Sequence, residues 1–243
     1  MTLVKPLVII SLLVLLLSCG IDEYYYLPQL SEGRVTRSLS SDAVIEIPSI
    51  SSEYYYATGF ILFYRIYISN FPTDTIDSIG QISTQLLSDY NAFVPFIDPV
   101  NTSSIPGLTT FSNRGYYELE LEGVNIRNVL SRSGGTVHIH FPLSSGDRPI
   151  ITFNNNEYPL IRSNGRGSFN PVPEDRYFFS SPDLNSSSNA NSITNADVSN
   201  TGAATEYAYV SMYIVMVGQN PRNFSRLYSK PTHINIFRLP NIN

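Results

Sequence analysis

The sequence is poor in the residues on which several kinds of protein depend. Its 243 residues include no tryptophan and one cysteine, and 14% of them are charged, against about 25% in an average soluble domain. A single cysteine excludes an internal disulfide framework and a thiolate zinc site. The low content of charged residues is unlike that of a disordered chain. The excess of 20 acidic over 15 basic residues argues against a nucleic-acid partner.

The residues that are abundant indicate a folded, aromatic-rich domain. Hydrophobic residues make up 42% of the chain, with 17 tyrosines and 13 phenylalanines. The length is sufficient for a hydrophobic core that needs neither disulfides nor a metal. We therefore predict no cofactor.

The N-terminus has the layout of a secretory signal. Lys5 is followed by the apolar run Leu7–Leu17 and then by the small residues Ser18, Cys19 and Gly20. A positive start, a short apolar stretch and small residues at its end are typical of a signal peptide. The run is shorter than the ~20 apolar residues of a membrane-spanning helix.

The four residues Leu16-Leu17-Ser18-Cys19 resemble the lipobox of bacterial lipoproteins, in which an aliphatic, a variable and a small residue precede an invariant cysteine. The resemblance implies that Cys19 is the lipidation site and the first mature residue, and that residues 1–18 are a lipoprotein signal peptide. The anchor would make a membrane the partner, with the protein in the outer membrane or at the cell surface rather than in the inner membrane. The alternative is an ordinary signal peptide that contains Cys19 by chance. Removal of Lys5 with the signal changes the formal charge from -5 to -6.

Two regions are predicted after the signal: a lipidated tether over 19–42 and a β domain over 43–243, with insertions in 71–205. The tether contains Tyr24-Tyr25-Tyr26. These rings either rest at the headgroup level of the membrane, where amphipathic rings are favoured, or pack on the domain.

Strand patterns dominate the predicted domain. Runs of aromatic and β-branched residues, several of them alternating in polarity, predict strands over 43–48, 53–69, 116–121, 136–141, 206–218 and 231–239, and a hairpin over 149–162 with an Asn-rich turn. Both faces of 60–68 are mostly apolar, which indicates a central strand. In the last strand the alternation puts Ile234 and Ile236 on one face and Phe237 on the other.

One helix and one long loop are predicted between the strands. Asp74 can cap a helix over about 74–90, in which Ile76, Ile79 and Leu86 recur at helical spacing. Residues 180–205 are almost all Ser, Asn, Asp, Ala and Thr, a composition that predicts a long polar loop.

Two segments resemble the fibronectin type III fold. Gly59–Tyr67 is similar to its third strand, and Tyr207–Gly218 followed by Leu227–Pro240 is similar to its sixth and seventh strands. The resemblance implies an antiparallel immunoglobulin-like or fibronectin III-like β-sandwich. The sequence departs from that family in lacking the tryptophan of the second strand and in the length of its middle section.

The strongest local candidate for chemistry is the pair His138 and His140. Residues two apart on a strand point to the same side, so both imidazoles could bind one metal ion, although a zinc site needs a third ligand. Two solvated histidines on an outer strand face are the alternative. Glu118, Glu120 and Glu122 also lie two residues apart and share one face of a strand. They could act as paired catalytic carboxylates, or they could form the solvated face of a half-buried strand.

These observations predict an exported, lipid-anchored protein that acts as a non-catalytic binding or structural module of the cell envelope, with another envelope or host protein as a possible partner. One alternative is a metal-dependent or hydrolytic envelope enzyme that uses His138 and His140. Another is a periplasmic assembly accessory.

Overall fold

Almost all of the described part of the chain is β-strand. The computed structural model describes residues 26–38, 41–49, 54–69, 116–121, 124–128, 134–142, 147–162, 179, 198–200 and 207–239. The strands in these ranges are β1 (Val35–Ser38), β2 (Asp42–Ile47), β3 (Ala57–Ser69), β4 (Tyr117–Glu118), β5 (Glu120–Leu121), β6 (Gly135–His140), β7 (Ile150–Phe153), β8 (Asn156–Ile161), β9 (Val198–Asn200), β10 (Tyr207–Gln219), β11 (Arg226–Tyr228) and β12 (Thr232–Arg238). Two short 3-10 helices, Glu32–Arg34 and Ile126–Asn128, also occur there. The predicted mainly β, antiparallel class is confirmed.

The first sheet has the order β1-β2-β6-β7-β8-β5, and every neighbouring pair in it is antiparallel. Its strands alternate between core and solvent: on β6, Val137 and Ile139 are buried, whereas Thr136, His138 and His140 are exposed. This is the pattern of a sheet that buries one face.

The second sheet is built on the long ladder between β3 and β10, which runs from the pair Tyr207–Ser69 to the pair Gly218–Ala57. β11 and β12 pair with the side of β10 that faces away from β3. β4 and β9 pair with the side of β3 that faces away from β10. The prediction of a central strand over 60–68 is therefore confirmed. β9 pairs with β3 in parallel. It lies within 180–205, so this part of the predicted loop forms a short strand instead.

The two sheets share one hydrophobic core. The rings of Phe60 on β3 and Phe153 on β7 meet edge to face with their centroids 6.2 Å apart, and Phe141, which follows β6, stacks on Phe237 of β12 at 4.5 Å. Such aromatic pairs contribute about 0.5–1.5 kcal/mol beyond the area they bury. The two contacts join the sheets at two places along the strands.

The second sheet is buried on its other face as well. Ile61, Phe63, Tyr67, Tyr213 and Val215 all point away from the shared core, and none of them is more than 5% exposed. Strands that are buried on both faces are apolar without a break rather than alternating. This accounts for the continuous apolar sequence of β3 and β10.

The predicted hairpin over 149–162 is confirmed as β7 and β8. Asn154 and Asn155 form its turn with φ values of 50° and 61°. A two-residue turn with both residues in the left-handed region matches the twist of the flanking strands, and asparagine tolerates this conformation better than most residues.

The last strand departs from regular alternation. The register between β10 and β12 shifts between Met212 and Tyr213, which pair with Asn235 and His233 and leave Ile234 as an extra residue. Ile234 therefore joins the shared core, whereas Ile236 packs on Tyr67 and Tyr209 on the other face. The prediction that Ile234 and Ile236 share a face is wrong because this β-bulge reverses the alternation.

The predicted strand over 116–121 is divided between the two sheets. β4 pairs with β3, and β5 pairs with β8. Leu119 lies between them, with its side chain buried and its amide donating to the carbonyl oxygen of Leu62 at 2.7 Å. One segment thus passes from the second sheet to the first at this side of the molecule.

The region predicted as a tether includes residues that pack on the domain. Leu27 and Leu30 are 4% and 1% exposed and belong to the shared core. The Thr232 hydroxyl donates to the Leu30 carbonyl oxygen at 2.6 Å, and the Gln29 amide donates to that of Pro231 at 2.7 Å. The described residues from Leu27 onward therefore pack on the domain.

Three predictions fall outside the described residues: Cys19 with its signal peptide, the helix over 74–90 and most of the loop over 180–205. Within the ranges given above, no helix has the length and apolar character needed to cross a membrane.

Candidate functional site

The structure places His138 and His140 on the outer face of the first sheet, as the strand spacing predicts. Both side chains are exposed on β6. His140 Nδ1 lies 2.6 Å from Asp42 Oδ1 on the neighbouring strand β2, and His138 is opposite Val44 on β2 and Thr152 on β7.

Asp42 is the acidic partner of this face. Burial works against its charge, but hydrogen bonds with Ser41 and His140, together with the charge of His140, leave the pKa of the Asp42 carboxyl below its ordinary value. The carboxylate is thus stabilised by two neighbours at an exposed position. Among the described residues no group of three or more His, Cys, Asp and Glu side chains could hold a metal ion.

The third histidine of the chain lies in the other sheet. His233 is on β12, with its ring 5.1 Å from that of Tyr213. Burial, with a contribution from the charge of Arg37, lowers the pKa of His233 to about 4. This imidazole is neutral at pH 7 and does not complete a site with His138 and His140.

Glu118 forms an ion pair rather than an acid–base pair of carboxylates. Arg127 Nε donates to Glu118 Oε1 at 3.0 Å, and Arg127 Nη2 contacts Oε2. Burial disfavours the charge of Arg127, but Glu118 outweighs burial and raises the pKa of the guanidinium. The side chains of Glu120 and Glu122 are outside the described residues.

A polar cluster that the sequence did not reveal lies on the second face of the second sheet. Its members are Tyr116, Ser211, Tyr213 and Tyr67. The Tyr116 hydroxyl donates to Ser211 Oγ at 3.1 Å, and the rings of Tyr116 and Tyr213 meet edge to face at 5.5 Å. The side chains come from three separate segments of the chain, so spacing in the sequence carries no signal for the cluster.

The environment of this cluster disfavours ionisation. Burial, reinforced by Tyr116, raises the pKa of the Tyr67 phenol far above its ordinary value, although the nearby Arg65 opposes the shift. The Arg65 guanidinium lies 5.3 Å from the centre of the Tyr67 ring. The Tyr67 phenol therefore stays protonated at neutral pH and does not act as a base.

The tyrosine runs that the sequence offered as contact surfaces are divided between core and solvent. Tyr54 and Tyr116 are buried, Tyr56 and Tyr117 are half-buried, and Tyr55 is 66% exposed. The buried phenol of Tyr54 donates to the Gln29 carbonyl oxygen at 3.0 Å. Of these five tyrosines only Tyr55 is available to a partner.

In the part of the chain that the structure describes, these features define a mainly β protein with two sheets, predominantly antiparallel, around a shared core. Comparison of the chain with protein-family models, with curated proteins and with solved structures finds no match.

Proposed function

We propose that the protein is an exported bacterial lipoprotein, anchored through Cys19, whose folded part is a non-catalytic binding or structural module of the cell envelope. The observation that carries the proposal is the position of the sole cysteine, directly after the apolar run Leu7–Leu17 and the residue Ser18. Two or three acyl chains, at about 0.8 kcal/mol for each buried CH₂ group, hold a protein on a membrane almost permanently.

The packing of Leu27 supports a short tether. Leu27 is eight positions after Cys19, which is at most about 28 Å of extended chain. A tether over 20–26 keeps the domain against the envelope surface. This suits a module that presents its loops to a partner held in the same envelope or to a host protein.

The order of the strands supports the fibronectin III-like proposal in part. In immunoglobulin-like sandwiches strands A, B and E are neighbours in one sheet, and C, F and G are neighbours in the other. The orders β1-β2-β6 and β3-β10-β12 correspond to these two sets. The chain differs in the strands β7, β8 and β5, which extend the first sheet beyond β6.

Two of the polar groups that the sequence offered for chemistry are paired within the fold. His138 and His140 are exposed on β6, His140 contacts Asp42, and Glu118 is paired with Arg127. A hydrolytic or metal-dependent enzyme requires acid, base or metal-binding groups that converge on one cleft. Sandwich domains instead bind partners through loops at their ends.

The test of the anchor is the Cys19→Ala substitution in the full chain, with Ser18→Ala as the matched control. The control keeps both the thiol and a small residue before it. We expect the parent and Ser18→Ala proteins to incorporate a palmitate analogue and to sediment with membranes. Cys19→Ala should lose the label and leave the membrane fraction. Labelling of Cys19→Ala would contradict the proposal.

Protease treatment of intact cells then separates two locations. A protein displayed at the cell surface is digested in intact cells, whereas a periplasmic assembly accessory is digested only after the outer membrane is opened. We expect digestion in intact cells.

A further inference from the structure

Three large hydrophobic side chains in the described part of the chain are exposed to solvent. Tyr26 is 71% exposed, Tyr55 is 66% exposed and Phe224 is 71% exposed. They belong to three segments that are far apart in the sequence: the residues before β1, the turn before β3 and the turn after β10. Single exposed hydrophobics are common on proteins, so the question is whether these three lie together.

The three segments meet at Gly218 and Gln219, the last residues of β10. A Cβ atom on Gly218 would lie 2.9 Å from Leu27 Cδ1 and 2.1 Å from the Tyr56 carbonyl oxygen. The Gln219 amide donates to that same oxygen at 3.1 Å, and the Gln219 side chain donates to the Phe224 carbonyl oxygen at 3.3 Å. Tyr26 and Tyr55 are the chain neighbours of Leu27 and Tyr56. All three exposed rings are thus at one end of the second sheet, which we call the aromatic end.

The turn at the aromatic end holds Phe224 in an unusual conformation. Phe224 has φ 59°, a region that bulky residues rarely adopt. Its amide donates to the Asn220 carbonyl oxygen at 2.9 Å, and the Asn220 and Asn223 side chains accept hydrogen bonds from the following turn amides. The turn is therefore well defined, and it carries an exposed apolar ring in a strained backbone conformation. Strain of this kind is found mainly where a function requires it.

The turn after β10 is cationic, although the whole chain is acidic. The turn after β10 carries Arg222, and the strand that follows it begins with Arg226; both are exposed. No Asp or Glu occurs anywhere in 207–239, although the whole chain has a formal charge of -5. A cationic turn with exposed aromatic rings has the chemistry of a surface that contacts anionic lipid headgroups.

The proposed anchor fixes which end of the domain faces the membrane. Leu27 is the first buried residue among those described, and it lies on Gly218 at the aromatic end. Cys19 is eight positions before Leu27, a distance of at most about 28 Å, so this end is held closest to the acyl chains. The contact is then intramolecular, and even a weak affinity for lipid is sufficient at such a high effective concentration.

We propose that the aromatic end rests on the lipid bilayer, with Tyr26, Tyr55 and Phe224 in the headgroup region and Arg222 and Arg226 beside anionic headgroups. The proposal rests on lipidation at Cys19. It also fixes the orientation of the domain: the opposite end, where β3 finishes and β10 starts, faces away from the membrane toward a partner.

The test uses the fact that a lipidated Cys19 has no free thiol. Phe224→Cys, Tyr55→Cys and the control Ser38→Cys are made separately in the full chain, and each introduced thiol receives an environment-sensitive fluorophore. Ser38 is exposed and pairs with Asp42, whose carbonyl oxygen accepts a hydrogen bond from Asn235. Asn235 pairs with Met212, which lies about 20 Å along β10 from Gly218. The control position Ser38 is therefore far from the aromatic end. The proteins are placed in vesicles of phosphatidylethanolamine and phosphatidylglycerol that carry headgroup-level quenchers.

We expect the fluorophore emission at positions 224 and 55 to shift to the blue and to be quenched. We expect neither effect at position 38. Replacing Arg222 and Arg226 by Gln in the Phe224→Cys protein should weaken quenching in these vesicles and have no effect in phosphatidylethanolamine with phosphatidylcholine. If the protein is lipidated and the three positions give the same solvent-exposed signal, the proposal is overturned. Excimer formation between copies labelled at 224, without quenching by lipid, would overturn it in favour of a second copy of the chain.

Failure of the anchor gives a different result. The parent chain without an introduced cysteine takes up no fluorophore when Cys19 carries lipid. Labelling of the parent chain means that Cys19 is free, which overturns the proposed lipoprotein function and the membrane contact with it.

Discussion

Arg37 on β1 donates from its Nε to the carbonyl oxygen of Ile234 on β12, at 2.7 Å. Its Nη2 donates to the carbonyl oxygen of His233 at 2.8 Å. The two strands belong to different sheets, and the acceptors are the extra residue of the β-bulge and the residue before it. One guanidinium therefore joins the two sheets at the bulge of β12.

We predict that Arg37→Ala lowers the free energy of unfolding by about 1 kcal/mol. Two charge-assisted hydrogen bonds are lost, but their exposure to solvent reduces their contribution. Urea denaturation monitored by tyrosine fluorescence measures the change. Thr36→Ala is the control because Thr36 is exposed on the same strand. Equal denaturation midpoints for Arg37→Ala and Thr36→Ala would show that the sheets do not depend on this contact.

We predict that His233 makes stability depend on pH between about 6.5 and 4. Its pKa is about 4 in the folded protein and about 6.5 when unfolded. The unfolded chain therefore binds a proton in this window and the folded protein does not, so the stability falls as the pH is lowered and the loss is complete below pH 4. The difference amounts to about 3 kcal/mol.

The measurement for His233 is the free energy of unfolding of His233→Phe and His138→Gln at several pH values across that window. Phenylalanine keeps an aromatic ring against Tyr213 and removes the titrating group, so His233→Phe should lose the His233 contribution. His138→Gln removes an exposed histidine and should behave like the parent. Identical pH profiles for the two variants would contradict the assignment.

We predict that Gly59→Ala is destabilising and that Gly135→Ala is not. A Cβ on Gly59 would lie 2.2 Å from the carbonyl carbon of Arg127, because the 3-10 helix Ile126–Asn128 crosses β3 at this point. Backbone must then move, at a cost of about 2 kcal/mol. At Gly135 the nearest atom is 3.9 Å away, so the change should stay within about 0.5 kcal/mol. Thermal unfolding of both variants tests this, and equal melting temperatures would contradict the close approach.

We predict that His140→Ala raises the pKa of the Asp42 carboxyl without affecting metal content. The imidazole contributes a hydrogen bond and a charge that lower this pKa, and the bond to Ser41 remains after the substitution. NMR titration of Asp42 measures the shift. Zinc analysis of purified His138→Ala/His140→Ala protein should give the same value as the parent. Zinc that is present in the parent and lost in the double variant would favour the metal-dependent alternative.

The sequence was sufficient to predict the elements whose patterns are local. β3 and β10 are long, continuous and apolar, and the Asn154-Asn155 turn requires a backbone conformation that asparagine favours. The outward direction of His138 and His140 follows from the period of two residues on a strand. Each of these inferences needs only neighbouring residues.

The features that sequence reasoning missed depend on contacts between distant residues. Tyr116 and Ser211 are 95 positions apart and meet only because both reach the second face of the second sheet. The bulge at Ile234 changes which side of β12 faces the core, and nothing in the local alternation indicates it. β9 contains a short polar stretch, Val198–Asn200, whose pairing with β3 depends on the neighbouring strand rather than on its own propensity.

The hydrogen bond from Thr232 to the Leu30 carbonyl oxygen has a consequence for the order in which the protein folds. The two residues are 202 positions apart, and both lie at the place where the chain enters the domain. Contacts of such high sequence separation slow folding, because the intervening loop must close before they form. A ribosome-bound chain that lacks β12 cannot form this contact, so the packing around Leu30 is completed only after the last strand arrives.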